Sequence, residues 1–181
     1  YLNELNKAVK SLVSEKRYAH ILRVAEMAER LADHWKIDKE KAQIAAIGHD
    51  IAKQLTPDQL AIFGVPVERC HIALYETYPP VWHAFVGADL IKVKCDYWDN
   101  DVTSAIMWHT TGSESMTPLD KLIYVADFIE TGRHHPFRLY LETLAFTSLD
   151  EACFGTAWCS IFSLLNKGAI IHPSTFACYN Q

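Results

Sequence analysis

A histidine and an aspartate stand side by side in a stretch of the chain that is otherwise apolar. His49 and Asp50 lie between the apolar segments 45–48 and 51–52. A carboxylate buried in such a segment costs several kcal/mol or takes up a proton unless a cation compensates it. Neighbouring residues of a helix point about 100° apart, so the two side chains cannot face one partner helix. The usual compensators are a cationic side chain or a metal ion, and the two side chains can converge on a metal ion held between several helices.

Three more histidines and one more aspartate occupy the same kind of position on other segments. In each case the residues one helical turn away are apolar, so each side chain is expected to point into a helix bundle. The complete set is His20, His49, Asp50, His83, His109 and Asp127. A single buried histidine is more often a hydrogen-bonded core residue, but a set of this size is typical of a metal site in a bundle core. Imidazole and carboxylate without thiolate favour iron or manganese, or zinc.

Helical periodicity predicts the elements that would position these residues. The expected helices cover 2–15, 17–35, a third from about 38 through the His49-Asp50 pair, a fourth from Pro57, and then 81–92, 101–108, 119–129, 138–145 and 148–167. Asp38 and Ser148 stand at expected N-caps, and Pro57 and Pro118 at first helical positions. Segment 64–80 is expected to hold loops and a short helix, and the tail 169–181 has no clear assignment. Because no strand pattern occurs, the predicted fold class is all-α, a single domain over residues 1–181 built as a helical bundle with the metal site in its core.

The overall composition restricts the classes of function. The 181 residues carry a formal net charge of −5 and the pI is near 6.0, which disfavours binding of nucleic acid through a general basic surface. No apolar run approaches the roughly 20 residues of a membrane-spanning helix, and residues 1–16 lack the apolar block of a signal peptide. A cytoplasmic protein is therefore expected. The five cysteines show no CxxC spacing, so neither a disulfide framework nor a zinc ribbon is supported.

The order of the six residues resembles the HD-domain superfamily of metal-dependent phosphohydrolases in its two-metal form. Longer blocks are similar to the YqeK family of bacterial symmetrical diadenosine tetraphosphate hydrolases, and the similarity extends over nearly the whole chain. These blocks are Arg17-Tyr18-Ala19-His20, His49-Asp50-Ile51-Ala52-Lys53, His109-Thr110-Thr111-Gly112, residues 116–121, 124–127 and 130–133, and the tail 171–180. The dipeptide His49-Asp50 alone is weak evidence, whereas the blocks in this order are specific.

The resemblance implies an HD-type all-α fold and two divalent or ferric metal ions, with iron expected and manganese or zinc as alternatives. One ion would be held by His20, His49 and Asp127, the other by His83 and His109, with Asp50 as the bridging carboxylate. The resemblance also implies cleavage of bis(5′-nucleosyl) tetraphosphates into two nucleoside diphosphates. The expected partner is thus a small nucleotide substrate, and a homodimer is left open.

Further side chains near the six are expected to serve the substrate. Lys53 comes one turn after His49 and is assigned, with Asp50, to the catalytic group, because its ammonium would face phosphate charge. Arg133 can offer a bidentate fork to phosphate oxygens, and Thr110 and Thr111 are expected to donate hydrogen bonds to phosphate. For either cation a solvated surface role is the alternative.

The expected nucleophile is a hydroxide that bridges the two metal ions. The sequence departs from the family after Arg133, where it reads His134-His135-Pro136-Phe137 and the family tends to carry Phe-Pro-Gly. The resemblance therefore does not define the substrate-side geometry of this loop. No ligand role is expected for the remaining histidines, which are His34, His71, His134, His135 and His172.

Three alternatives to the tetraphosphatase remain open at this point. Two are enzymes, namely another HD-type nucleotidase or phosphodiesterase, and a two-iron oxygenase that uses a similar ligand set. The third is a non-catalytic module that binds a metal or a nucleotide. Release of two ADP from diadenosine tetraphosphate would favour the tetraphosphatase, and strict dependence on oxygen would favour the oxygenase. Lys53 and Arg133 argue against the third reading, because a purely structural metal site has no need of phosphate-binding cations.

Overall fold

The computed structural model describes residues 1–181 and contains helices and turns, without any strand. The prediction of an all-α fold is thus confirmed. The helices are α1 (Leu2–Leu12), α2 (Glu15–Trp35), α3 (Lys39–Gly48), α4 (Pro57–Ile62), α5 (Arg69–Thr77), α6 (Pro79–Cys95), α7 (Asn100–Trp108), α8 (Pro118–Ile129), α9 (Arg138–Ala145), α10 (Leu149–Asn166) and α11 (Pro173–Tyr179).

The starts of several helices follow the capping signals of the sequence. The Asp38 side chain accepts a hydrogen bond from the Lys41 amide at the start of α3, and Ser148 accepts one from the Glu151 amide at the start of α10. Pro57 and Pro118 open α4 and α8 as expected. Such caps satisfy amide groups that have no partner within the first turn of a helix.

Three boundaries differ from the prediction. The first two expected helices are both present, but α1 ends at Leu12 rather than at Glu15, and α2 begins at Glu15 with the Ser14 side chain as its cap. α3 ends at Gly48, so the His49-Asp50 pair lies in the turn that follows the helix and not within it. The unassigned tail contains α11, whose first turn is capped by the His172 side chain.

Buried apolar side chains form one continuous core between the helices. α2 lies in contact with α3 and α8, and α7 lies in contact with α3, α6 and α8. Ile21 of α2, Ile106 of α7 and Leu122 of α8 are fully buried at these contacts. The helices that carry the histidines and aspartates of interest are therefore the ones that surround the core. No helix has both the length and the apolar character that crossing a membrane would require.

Gly112, which follows α7, lies directly against Cys178 of the C-terminal helix α11. Its φ of +64° is a left-handed conformation, and a Cβ added there would overlap the Cys178 sulfur of α11. Gly168 has a similar φ of +60°, but nothing lies within 4 Å of the position of its Cβ. Substitutions at the two glycines therefore distinguish the cost of backbone strain, which both share, from the cost of steric overlap, which only Gly112 has.

We expect Gly168→Ala to lower the free energy of unfolding by about 1 kcal/mol, the cost of a left-handed alanine. Gly112→Ala should cost about 3 kcal/mol, because overpacking against Cys178 adds to the same strain. Urea denaturation of both variants measures the difference. Equal losses would mean that α11 can move away from Gly112 at no cost.

Candidate metal centre

The structure brings the six predicted histidines and aspartates together in the core. His20 lies in α2, His83 in α6 and Asp127 in α8, whereas His49, Asp50 and His109 lie in the turns that follow α3 and α7. The four imidazoles and the Asp50 carboxylate are buried. Five segments that are distant along the chain thus contribute to one cluster of ionisable groups.

His49 and His109 occupy equivalent places, each directly after the last residue of a helix. The Nδ1 of His49 donates a hydrogen bond to the Ala46 carbonyl at 2.6 Å, and that of His109 donates to the Ile106 carbonyl, also at 2.6 Å. Each ring thereby satisfies a carbonyl of the last helical turn that would otherwise lack a partner. The same hydrogen bond fixes the orientation of the ring and directs Nε2 away from the helix.

The Asp50 carboxylate lies between two groups of imidazoles. Its Oδ2 is 3.3 Å from His49 Nε2 and 3.7 Å from His20 Nε2. Its Oδ1 is 3.1 Å from His83 Nε2 and 3.7 Å from His109 Nε2. Two groups of donor atoms that could each hold a metal ion therefore share one carboxylate. We call the first group the His20–His49 half and the second the His83–His109 half.

Asp127 adds a second carboxylate to the His20–His49 half only. Its Oδ1 is 3.0 Å from His20 Nε2 and 4.0 Å from His49 Nε2. The Arg133 guanidinium donates to the same oxygen and to the Asp127 carbonyl. The first half thus combines two imidazoles with two carboxylates, whereas the second half has two imidazoles and the shared Asp50.

The ring tautomers suit metal binding. The Nδ1 atoms of His20, His49 and His109 donate to oxygen acceptors, so the neutral rings present the lone pairs of Nε2 toward the carboxylates. A nitrogen lone pair and a carboxylate oxygen that face each other repel, unless a cation or a proton lies between them. The Nε2 atoms of His20 and His49 are buried and make no hydrogen bond within the protein. These unpartnered nitrogen atoms, with the adjoining carboxylates, fit the N/O coordination of iron, manganese or zinc.

Burial and mutual charge set the protonation of the cluster. Burial alone would raise the pKa of Asp50, but the adjoining imidazoles of His49, His109 and His83 outweigh it and hold that pKa well below its usual range. Burial lowers the pKa of His83 to about 3. An ionised carboxylate next to a neutral imidazole is the state in which both groups can bind a metal ion.

Glu130 is a functional candidate for which the sequence suggested no role. Its side chain is buried, and its Oε1 accepts the Nδ1 proton of His20 at 3.0 Å. Arg23 Nε and the Gly132 amide donate to its other oxygen. A carboxylate that holds the second nitrogen of a metal-binding histidine fixes the tautomer and raises the basicity of the ligand. One signal was available, since Glu130 follows Asp127 by three residues at the end of a nearly apolar helix.

We expect Glu130→Gln to weaken the binding of Mn²⁺ by about tenfold, the lower end of the usual range for such positions, because glutamine still offers one acceptor to His20. Competition with a chromophoric chelator measures the affinity. Glu142→Gln is the matched control, since Glu142, like Glu130, accepts hydrogen bonds from arginine, here from Arg30 and Arg138, but lies outside the cluster. Equal affinities in the two variants would contradict a role for Glu130 in orienting His20.

A polar cleft of about 500 Å³ opens beside the His20–His49 half. No apolar side chain lines it, and five cations do, which are Lys16, Arg17, Arg23, Lys53 and Arg133. Arg17 donates to Asp50 Oδ2 at 2.8 Å, and Lys53 Nζ lies 3.1 Å from His83 Nε2. The sequence suggested no role for Arg17 and Arg23. Although the chain is acidic overall, this cationic cleft is locally suited to a polyanion.

The two predicted threonines are placed differently. The Thr110 hydroxyl is 2.9 Å from His109 Nε2 and 3.4 Å from His83 Nε2, so it adjoins the second half of the centre. The Thr111 hydroxyl donates to the Gly112 carbonyl instead, and the side chain is buried. The structure thus brings Lys53, Arg133 and Thr110 to the cluster, whereas the hydroxyl of Thr111 is used within the turn.

The histidines without an expected ligand role lie outside the cluster. His71 and His172 each accept a backbone amide at a helix start, at α5 and α11. His135 donates to the Phe128 carbonyl and its ring packs on that of Phe128. The departing loop 134–137 is thus held against the end of α8, and His34 is exposed.

Comparisons with known proteins agree with this geometry. The sequence model of the HD domain family matches residues 17–132, which include all six clustered residues. A protein of Bacillus subtilis named symmetrical bis(5′-nucleosyl)-tetraphosphatase is 37% identical over 95% of this chain and 92% of its own length. A protein of the same name from Staphylococcus aureus is 31% identical over 99% of this chain and 93% of its own length.

A solved structure is similar over the same extent. The crystal structure of a predicted HD superfamily hydrolase involved in NAD metabolism from Clostridium acetobutylicum superposes with a TM-score of 0.88 at 32% identity. It covers 99% of this chain and 95% of the other chain. With the clustered histidines and aspartates, these similarities show that the chain belongs to the HD domain family and, within it, to the family of the proteins named symmetrical bis(5′-nucleosyl)-tetraphosphatase.

Proposed function

We propose that this protein hydrolyses bis(5′-nucleosyl) tetraphosphates, such as diadenosine tetraphosphate, symmetrically into two nucleoside diphosphates. The observation that carries the proposal is one carboxylate, Asp50, shared by two groups of imidazoles beside a cleft lined by five cations. Two adjacent cation sites and a cationic cleft together suit a chain of several phosphates. The names of the relatives supply the substrate class.

Two metal ions, with iron as the proposed metal and manganese or zinc as alternatives, would occupy the two halves of the centre. His20, His49 and Asp127 would hold one ion, His83 and His109 the other, and Asp50 would contact both. When bound, such a pair of ions neutralises phosphate charge and lowers the pKa of water, so that hydroxide becomes available as the nucleophile.

The cationic side chains would position the substrate. Lys53 and Arg133 lie at the two ends of the cluster, next to His83 and Asp127 respectively. An arginine fork and a lysine ammonium bind phosphate oxygens through charge-assisted hydrogen bonds. The leaving nucleoside diphosphate departs as a stable anion, so the reaction needs neither a protein nucleophile nor a strong proton donor. Thr110 could donate to a phosphate oxygen near the His83–His109 half.

The experiment is product analysis with diadenosine tetraphosphate after the purified protein has been loaded with Fe²⁺ or Mn²⁺. Two molecules of ADP per substrate are expected, and turnover should stop when a chelator removes the metal. Formation of ATP and AMP would contradict symmetrical cleavage. A product that forms only with oxygen present would favour the oxygenase, and the absence of turnover with either metal would leave a binding module.

A further inference from the structure

A second cavity, of about 290 Å³, adjoins the His83–His109 half of the centre. Its walls come from the junction of α5 and α6, the turn after α7, the end of α10 and the tail. The side chains that line it include those of Tyr78, Val81, Thr110, Leu164, Ile170 and His172. We call it the C-terminal cavity, because the tail that sequence analysis could not assign forms one of its walls.

The C-terminal cavity is connected to the centre through Thr110. This residue lines the cavity, and its hydroxyl is within hydrogen-bond distance of the Nε2 atoms of both His83 and His109. A molecule in the cavity that extends past Thr110 therefore reaches the second half of the centre. The cavity is also close to the lower end of the volumes of about 300 to 1,000 Å³ that are usual for small-molecule sites.

We propose that the C-terminal cavity binds one nucleoside of the dinucleotide substrate, an assignment that rests on the function proposed above. The cationic cleft suits phosphate but has no apolar side chain, whereas a base is usually held against such side chains. The C-terminal cavity offers the Tyr78 ring and the apolar side chains of Val81, Leu164 and Ile170. Aromatic rings with a few polar groups are the usual surroundings of a bound base.

Hydroxyl and imidazole groups supply the polar partners. His172 Nδ1 accepts a hydrogen bond from the Ser174 amide, so the proton of the neutral ring is on Nε2, which makes no hydrogen bond within the protein. Burial lowers the pKa of His172, which favours that neutral donor form. The ring contacts that of Tyr78 edge to face, with centroids 4.8 Å apart. Ser160 and Thr175 add hydroxyl groups to the same cavity.

Another apolar cavity, beside the loop 134–137, is a weaker candidate. It is lined by Phe128, Phe137 and Phe162 among others, and its volume of about 350 Å³ is similar. No side chain that lines it makes a hydrogen bond to any of the six residues of the centre. A nucleoside placed there would lack the connection that Thr110 provides on the other side.

The test measures binding of ADP and of inorganic pyrophosphate to the metal-loaded protein by calorimetry. Tyr78→Ala should weaken ADP binding by about tenfold, since stacking on one aromatic ring is worth that much. Ile170→Ala should weaken it by about threefold, because the contact of one largely exposed apolar side chain is lost. Both variants should bind pyrophosphate within about twofold of the wild type, since pyrophosphate has no base.

Two matched controls line neither of the two apolar cavities. Tyr140→Ala and Ile62→Ala remove exposed side chains of the same types and should leave the binding of both ligands unchanged. Phe162→Ala tests the other apolar cavity. Unchanged ADP binding in Tyr78→Ala and Ile170→Ala, an equal loss for ADP and pyrophosphate, or a loss confined to Phe162→Ala would each overturn the assignment. Failure of the proposed function has a different signature, namely normal ADP binding without hydrolysis of diadenosine tetraphosphate.

Discussion

Asp50→Ala is expected to abolish the stoichiometric binding of two metal ions and to lower the hydrolysis of diadenosine tetraphosphate by at least about 10³-fold. The reason is its position, since Oδ2 faces His49 and His20 while Oδ1 faces His83 and His109. Substitution of any one of the other five clustered residues removes a ligand from only one half of the centre. Loss of Asp50 removes a ligand and a negative charge from both.

Elemental analysis after gel filtration, together with ADP release, measures the two effects. Asp50→Asn keeps the shape of the side chain and should show nearly the same loss, because the amide lacks the charge that offsets a cation. Asp89→Asn replaces a partly exposed aspartate away from the centre and should leave metal content and turnover unchanged. Turnover in a metal-free Asp50 variant whose helical circular dichroism is normal would refute the mechanism.

Asp50 and its five partners could be found from the sequence because their surroundings are informative. Each follows or precedes apolar residues at helical spacing, and the energetic penalty of burying such a group requires an explanation. The prediction that His49 and Asp50 would converge on one point did not depend on the helix boundary. The predicted end of the third helix was wrong, because the His49 ring caps the C-terminus of α3 through its hydrogen bond to the Ala46 carbonyl. A hydrogen bond from a side chain to the preceding turn leaves no signal in the local periodicity of the sequence.

Arg23 shows why other parts of the site could not be predicted. Periodicity places the Cα of Arg23 on the outer side of α2, and its side chain remains about one third exposed. A long side chain can nevertheless extend from such a position to a buried group, and the Arg23 guanidinium reaches Glu130. The seven residues of α11 are too few for a periodic pattern, and tertiary contacts such as that between Gly112 and Cys178 hold the helix in place.

Arg133→Ala is expected to weaken substrate binding without weakening metal binding. The guanidinium donates to Asp127 Oδ1, so it places a positive charge beside an atom proposed to bind a metal ion. Removing that charge should leave metal affinity unchanged or increase it, because like charges repel. The same change removes a phosphate-binding fork, so kcat/KM for diadenosine tetraphosphate should fall roughly 100-fold, as expected for the loss of about 3 kcal/mol in charge-assisted hydrogen bonds.

Chelator competition and steady-state kinetics on the same preparation separate the two effects. Arg133→Lys retains the charge without the fork and should recover part of the lost kcat/KM. Arg30→Ala is the matched control, since Arg30 also pairs with a carboxylate, Glu142, but outside the cleft. A loss of metal in Arg133→Ala would show that the arginine mainly holds Asp127 in place. Unchanged kinetics would show that the phosphates do not contact this end of the cationic cleft, because a fork that bound them could not be removed without a cost in kcat/KM.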